Sequence, residues 1–298
     1  MIRGSIVALI TPFHEDGSVN YDKLRELILW HIEEKTDGIC ILGTTAETPA
    51  LTVTERDRIV EISIETADKR IPIIVGSGSN NTMVAKEQSI KYEKMGADGL
   101  LVITPYYNKT NKAGMICHFT EIADAVSIPI ILYNVPGRTG CSLTYDALKE
   151  LCQHKNIAGI KEASGDISFV MQIARLAGEN FALYSGNDDM IVPLMSVGGA
   201  GVISVAANII PNEIHRLTAA YLSGNVELAR HIQLRYLEFI NALFIETNPI
   251  PIKEAMNFMD MNVGKYRLPL YEMEDEGKKY LIKTMKVLFV EEEMREAV

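Results

Sequence analysis

The chain has 298 residues, 47% of them hydrophobic and 23% charged, with a formal net charge of −10 at pH 7; it can bury one large core or two smaller ones, and its acidic average surface repels nucleic-acid backbones and anionic membranes. No apolar run approaches the ~20 residues that span a bilayer, and the opening Met1-Ile2-Arg3-Gly4 leads into a strand-like run instead of a signal peptide. Cys40, Cys117, Cys141 and Cys152 match neither a zinc pattern nor a dense disulfide framework, which reads as a soluble protein of a reducing cytoplasm.

In chain order, short β-branched runs alternate with segments of helical period. The runs are 5–10, 38–42, 72–75, 100–103, 128–132, 157–160, 181–184 and 201–205. Each interval between them accommodates one strand, one helix and two loops. Thr52-Val53-Thr54-Glu55 and Thr144 mark helix entries, because a hydroxyl there accepts the first unpaired backbone N–H groups. Gly96, Gly178 and Gly224 follow helical stretches and are expected to close them in a left-handed conformation. Runs without strict alternation suit a parallel sheet covered by helices on both faces. Eight such units predict an α/β fold, a (β/α)8 barrel over residues 1–222. After Gly224 no strand follows; helices are expected near 226–244, 251–259 and 274–291, so 223–298 is read as a C-terminal helical extension packed on the barrel.

In such a barrel, catalytic residues stand at the carboxyl ends of the strands. Polar clusters occupy those positions: Gly43-Thr44-Thr45-Ala46-Glu47, Thr104-Pro105-Tyr106-Tyr107, Tyr133-Asn134-Val135-Pro136-Gly137-Arg138-Thr139, Lys161-Glu162-Ala163-Ser164 and Ser185-Gly186-Asn187-Asp188-Asp189. Tyr133 and Lys161 lie one βα unit apart, which predicts adjacent strands and one rim. A lysine, a phenol and a guanidinium (Arg138) together suggest an amine nucleophile with a proton carrier and an anion clamp. An amine in a partly dry pocket beside another cation loses some of its affinity for protons and can attack a carbonyl carbon to form a Schiff base. Each residue also has a plainer reading taken alone: an isolated lysine is usually on the surface, an isolated tyrosine usually packs, and an arginine usually pairs with a surface glutamate. Asp188 and Asp189 read as helix caps, since no histidine or third carboxylate lies at ligand spacing, and the six histidines form no His-x-x-x-His pair. No metal is therefore expected.

These motifs, with Gly201-Val202-Ile203-Ser204 and Asn248-Pro249-Ile250-Pro251, resemble the dihydrodipicolinate synthase family, within the pyruvate-dependent aldolase group that includes N-acetylneuraminate lyase. The likeness covers essentially the whole chain. It implies that Lys161 forms a Schiff base with pyruvate, whose enamine attacks L-aspartate 4-semialdehyde, with no cofactor beyond that covalent bond. By the same resemblance Tyr133, Thr44 and Tyr107 form a proton relay, with Tyr107 supplied by a neighbouring subunit. Thr45 joins Thr44 in holding the pyruvate carboxylate, Arg138 holds the carboxylate of the aldehyde, and Gly186 and Ile203 line the pyruvate pocket. The resemblance further implies a homo-oligomer built as a dimer of dimers. Two alternatives stay open: cleavage of a sialic or keto-deoxy sugar acid, which the presence of Arg138 disfavours, and a non-catalytic barrel that binds a keto acid.

Two departures from the family pattern stand out. Ala46 replaces a glycine, which would cost ~1 kcal/mol if its φ were positive. Val84 and Arg56 stand where lysine-inhibited members carry a carboxylate and a histidine, so weak or absent feedback by lysine is expected.

Overall fold

The computed structural model describes residues 2–296, with side chains through residue 288. Eight parallel strands close into a barrel in sequence order: β1 (Gly4–Ala8), β2 (Gly38–Ile41), β3 (Ile73–Gly76), β4 (Gly99–Ile103), β5 (Ile130–Asn134), β6 (Ile157–Glu162), β7 (Ala182–Ser185) and β8 (Gly201–Ser204). Closure is made by β1 on β8, with Gly4 opposite Gly201 and Val7 opposite Ser204. All eight expected strands exist. β5 and β6 each run two residues further than their apolar runs suggest, so Tyr133 and Lys161 are strand residues held by the ladder and not loop residues beyond it.

Because side chains alternate across a strand, each strand feeds two cores. The inward set includes Ile6, Ala8, Cys40, Ile74, Leu101, Ile131, Tyr133, Ala182, Tyr184 and Ile203. The outward set, including Val7, Ile39, Val75, Leu100, Val102, Leu132, Ile160 and Val202, packs against the surrounding helices. Burial on both faces explains why the strands read as continuous apolar runs.

The helices between strands are α1 (Tyr21–Glu33), α2 (Val53–Ala67), α3 (Thr82–Met95), α4 (Lys112–Ala123), the short α5 (Pro136–Thr139), α6 (Tyr145–Leu151), α7 (Ile167–Ile173), α8 (Ile191–Met195) and α9 (Pro211–Leu222). Thr52 and Glu55 form the full capping box of α2, and Thr144 caps α6. Gly96 closes α3 at φ 103°, and Gly224 takes φ 90° after α9. Gly178 differs from expectation: α7 gives way to a 3₁₀ turn ending at Ala177, whose backbone is extended, and Gly178 then bridges Phe181 to lead into β7. No left-handed residue is needed there.

Beyond Gly224 come α10 (Val226–Ala242), α11 (Ile250–Phe258) and α12 (Asp275–Glu296), packed on one another and, through α10, on α8 and α9. The extension expected over 223–298 includes residues 297 and 298, which lie outside the described residues. Among the described residues no helix is long and apolar enough to cross a membrane.

Candidate active site

Tyr133 on β5 and Lys161 on β6 are direct partners in the parallel register. Two inward-pointing side chains at the same height on adjacent strands must meet, and Lys161 Nζ lies 4.6 Å from the centroid of the Tyr133 ring. Lys161 is 5% exposed and takes no hydrogen-bond or ion-pair partner among the described residues. Tyr184, its register partner on β7, shares the inward barrel core with Cys40 and Ile203. Burial pushes the Cys40 thiol up to about 11, against the pull of the Lys161 charge, so Cys40 is neutral. The Tyr184 hydroxyl is tied to the Ile2 carbonyl at 2.6 Å, and burial raises it to about 12. These two groups offer no competing nucleophile or proton carrier.

The wall beside the lysine is built by close packing. A Cβ on Gly186 would stand 2.5 Å from the Ala163 Cβ and 3.0 Å from the Glu162 carbonyl oxygen, while its N–H donates to that same carbonyl at 2.7 Å. Only glycine lets the segment after β7 lie this near the end of β6. Asp188, fully buried, accepts from the backbone N–H groups of Val205 and Ala206 at 2.9 and 3.1 Å. It thus caps the turn after β8 across space, a version of the capping role expected from sequence. Burial raises its carboxyl, while hydrogen bonds from Ser204, Ala206 and Val205 and the Lys161 charge oppose that rise.

On the other side, Thr44, Tyr133, Arg138 and Asn248 line one cavity of about 480 Å³ with Tyr106, Val84 and Arg56. Thr44, Thr45 and Ala46 form a 3₁₀ turn after β2, which leaves its first N–H groups without partners inside the turn. The expected strain at Ala46 is absent: its backbone belongs to the turn, and the left-handed residue is Glu47 at φ 54°. The conditional cost therefore does not apply. Arg138, on the exposed α5, donates from its guanidinium to the Asn248 carbonyl at 2.9 Å, and Asn248 Nδ2 donates to Thr45 Oγ1 at 3.0 Å.

Tyr107 is the expected residue that the single chain leaves in solvent. It is 90% exposed and sits at φ 68°, and it is not among the residues that line the cavity.

Sequence reasoning missed the supports. Glu47 is buried and receives Lys253 Nζ at 2.9 Å; the same ammonium donates to the carbonyls of Thr11 and Lys265. The second Glu47 oxygen accepts from the Arg267 N–H at 3.0 Å. Arg267 in turn grips Glu55, whose carboxyl it holds down to about 2. A carboxylate just after Thr44-Thr45 is thereby locked to the C-terminal segment. Lys253, within Ile250-Pro251-Ile252-Lys253-Glu254, carries no sequence sign of burial beyond its apolar neighbours.

The family model described as "Dihydrodipicolinate synthetase family" matches residues 1–288. The chain belongs to this family. It is 55% identical over 282 residues to the 4-hydroxy-tetrahydrodipicolinate synthase of Thermoanaerobacter sp. (strain X514), covering 94% of this chain and 95% of that one. It is 52% identical over 286 residues to the enzyme of that name from Clostridium perfringens (strain SM101 / Type A), covering 96% and 98%. Its fold matches the crystal structure of the Acinetobacter baumannii dihydrodipicolinate synthase complexed with pyruvate with a TM-score of 0.94 at 40% identity, covering 97% of this chain and 99% of that one.

Proposed function

We propose that Lys161 is the Schiff-base nucleophile, Tyr133, Thr44 and Tyr107 the proton relay, Thr44 and Thr45 the cradle of the keto-acid carboxylate, Arg138 the clamp on the aldehyde's carboxylate, and Gly186 and Ile203 the pocket wall. The enzyme is a lyase of the aldolase type that condenses pyruvate with L-aspartate 4-semialdehyde to 4-hydroxy-tetrahydrodipicolinate, in lysine and diaminopimelate biosynthesis. The observation that carries the residue assignment is the pairing of Tyr133 with Lys161 in register.

Neutral Lys161 Nζ adds to the keto carbon of pyruvate, and the carbinolamine hydroxyl takes a proton from the relay and leaves as water, giving a protonated imine. That imine draws electrons from the adjacent methyl carbon, so a base can take a methyl proton and leave an enamine. Tyr133, whose ring lies against the lysine, is that proton carrier. The enamine carbon attacks the aldehyde, whose oxygen takes a proton from the relay. The substrate's amine then displaces Lys161 from the imine carbon, closing the ring and restoring the free lysine. Arg138 supplies a planar, permanently charged fork for the aldehyde's carboxylate. In this reading the covalent bond to Lys161 does the work of a cofactor.

We further read residues 1–222 as the catalytic barrel and 223–298 as an extension that completes its site. The exposure of Tyr107 supports a homo-oligomer, a dimer of dimers in which Tyr107 enters the neighbouring mouth. The acidic surface and cysteine usage favour a cytoplasmic enzyme. The reading is tested by borohydride reduction in the presence of pyruvate, with peptide masses and semialdehyde turnover measured in parallel. An adduct on Lys161 with turnover supports it; no adduct sinks it.

Regulation follows from the same cavity. Val84 offers no charge to an ammonium group, and Arg56 repels one. Millimolar lysine is expected to inhibit by less than half, and micromolar inhibition would refute this.

A further inference from the structure

We propose that Asn248 sets the direction of the Thr45 hydroxyl: by donating from Nδ2 to Thr45 Oγ1, it leaves the hydroxyl's single proton for the carboxylate of the keto acid. This rests on the reading of Thr45 as part of that cradle. A threonine hydroxyl has one proton and two lone pairs. At 2% exposure, Thr45 meets little solvent, so its protein neighbours weigh heavily on which way the proton points. Asn248 Nδ2 stands 3.0 Å away as a donor and occupies a lone pair. The O–H is then free to face an anion, which is the polarity that a carboxylate needs.

Asn248 also belongs to the second acid-holding group. Its carbonyl accepts from Arg138 at 2.9 Å, so one residue of the C-terminal segment orients a group on the keto-acid side and another on the aldehyde side. Its Oδ1 is buried without a protein partner. An unpartnered buried acceptor is costly, and such costs persist where the other end of the group is needed. Asn248 is in these terms a positioning residue: its side chain acts through Thr45, while the contact with Arg138 is made by its backbone carbonyl and survives a side-chain substitution.

The test is a double-mutant cycle read by the pyruvate concentration that half-saturates borohydride trapping on Lys161, and by the KM for each substrate. Thr45→Val is expected to raise the pyruvate requirement by about tenfold or more, and Asn248→Ala by about fivefold to tenfold. In the Thr45→Val background, Asn248→Ala should add nothing further, because its effect passes through the hydroxyl. Asn248→Asp keeps the shape but replaces the donor with a charged acceptor that draws the Thr45 proton to itself. It should therefore weaken pyruvate binding more than Asn248→Ala does, with a smaller change in kcat. Asn248→Ser stands in if the alanine variant does not fold, and near-ultraviolet circular dichroism verifies the others.

Additive effects of Asn248→Ala and Thr45→Val would overturn the proposal, as would an Asn248→Asp variant no worse than Asn248→Ala. If Thr45→Val alone leaves the pyruvate requirement unchanged while wild type is trapped on Lys161, the cradle assignment fails and takes this inference with it. Failure to trap the wild type at all would instead strike the Schiff-base reading.

Discussion

Lys161 and Lys253 are both withdrawn from solvent, and both ammonium groups lie over an aromatic ring, at 4.6 Å from Tyr133 and 4.3 Å from Phe13. Around Lys253 every donor is used: Glu47 and the carbonyls of Thr11 and Lys265 surround it. Burial lowers its proton affinity, and the Glu47 charge opposes that. Lys161 has the ring but no carboxylate and no carbonyl. A buried polar group is ordinarily hydrogen-bonded, so a lysine with uncommitted donors in a barrel mouth is held for something that arrives later. The comparison teaches how one fold uses the same side chain twice: saturated, as a tie between the loop after β2 and the C-terminal segment, and unsaturated, in the position proposed for the nucleophile.

The largest effect should come from Lys161→Met. Turnover is expected to fall by at least about 10⁴-fold and the borohydride adduct to vanish, while the midpoint of urea unfolding holds or rises, since an unpaired buried amine has gone. A marked loss of stability would break the contrast with Lys253. Next comes Tyr133→Phe, which gives Lys161 the ring type that flanks Lys253. It keeps the packing and removes the proposed proton carrier, so kcat should drop by roughly 10²–10⁴-fold, measured under saturating substrates; near-wild-type kcat would remove Tyr133 from the relay.

Lys253→Met should show the opposite pattern from Lys161→Met. It leaves the Glu47 carboxylate buried and unpaired, at a cost of about 3–5 kcal/mol in urea unfolding. Adding Glu47→Gln should recover much of that loss, because no charge then remains uncompensated. If the double variant were no more stable than the single one, the ion pair would not be the tie.

A buried base of a third kind gives the smallest effect. His31, held at Nδ1 by Thr36 at 3.0 Å, is pushed by burial from 6.5 to about 3. The unfolded chain therefore takes up a proton before the folded one does. The stability that comes from keeping His31 neutral is fully present above about pH 6.5 and is lost progressively as pH falls toward 3. Melting temperatures between pH 7.5 and 5 should decline in wild type and decline less steeply in His31→Leu. Equal slopes would show that the unfolding transition does not sense this residue.

The period of strands and helices, the end of strand signals at Gly224, the Thr52 capping box and the coincidence of polar clusters with strand ends were all legible in the sequence. They depend on local patterning: alternation of faces, hydroxyl caps and one βα unit between Tyr133 and Lys161. The exact strand ends were not legible, because the ladder continues through Tyr133–Asn134 and Lys161–Glu162 by pairing with neighbours, whatever the polarity of those side chains. Nor was the conformation of Ala46, Gly178 or Glu47, which long-range hydrogen bonds and strand entry decide.

The sequence by itself determined the barrel and the chemical groups at its mouth, since both follow from residue type and spacing. Only the tertiary structure decided which of those groups are free to react and which are spent holding others. Asn248 meets Thr45 across 203 positions and Lys253 meets Glu47 across 206. No local pattern encodes such pairings, because burial and partner choice arise only when the C-terminal segment folds back onto the loop after β2.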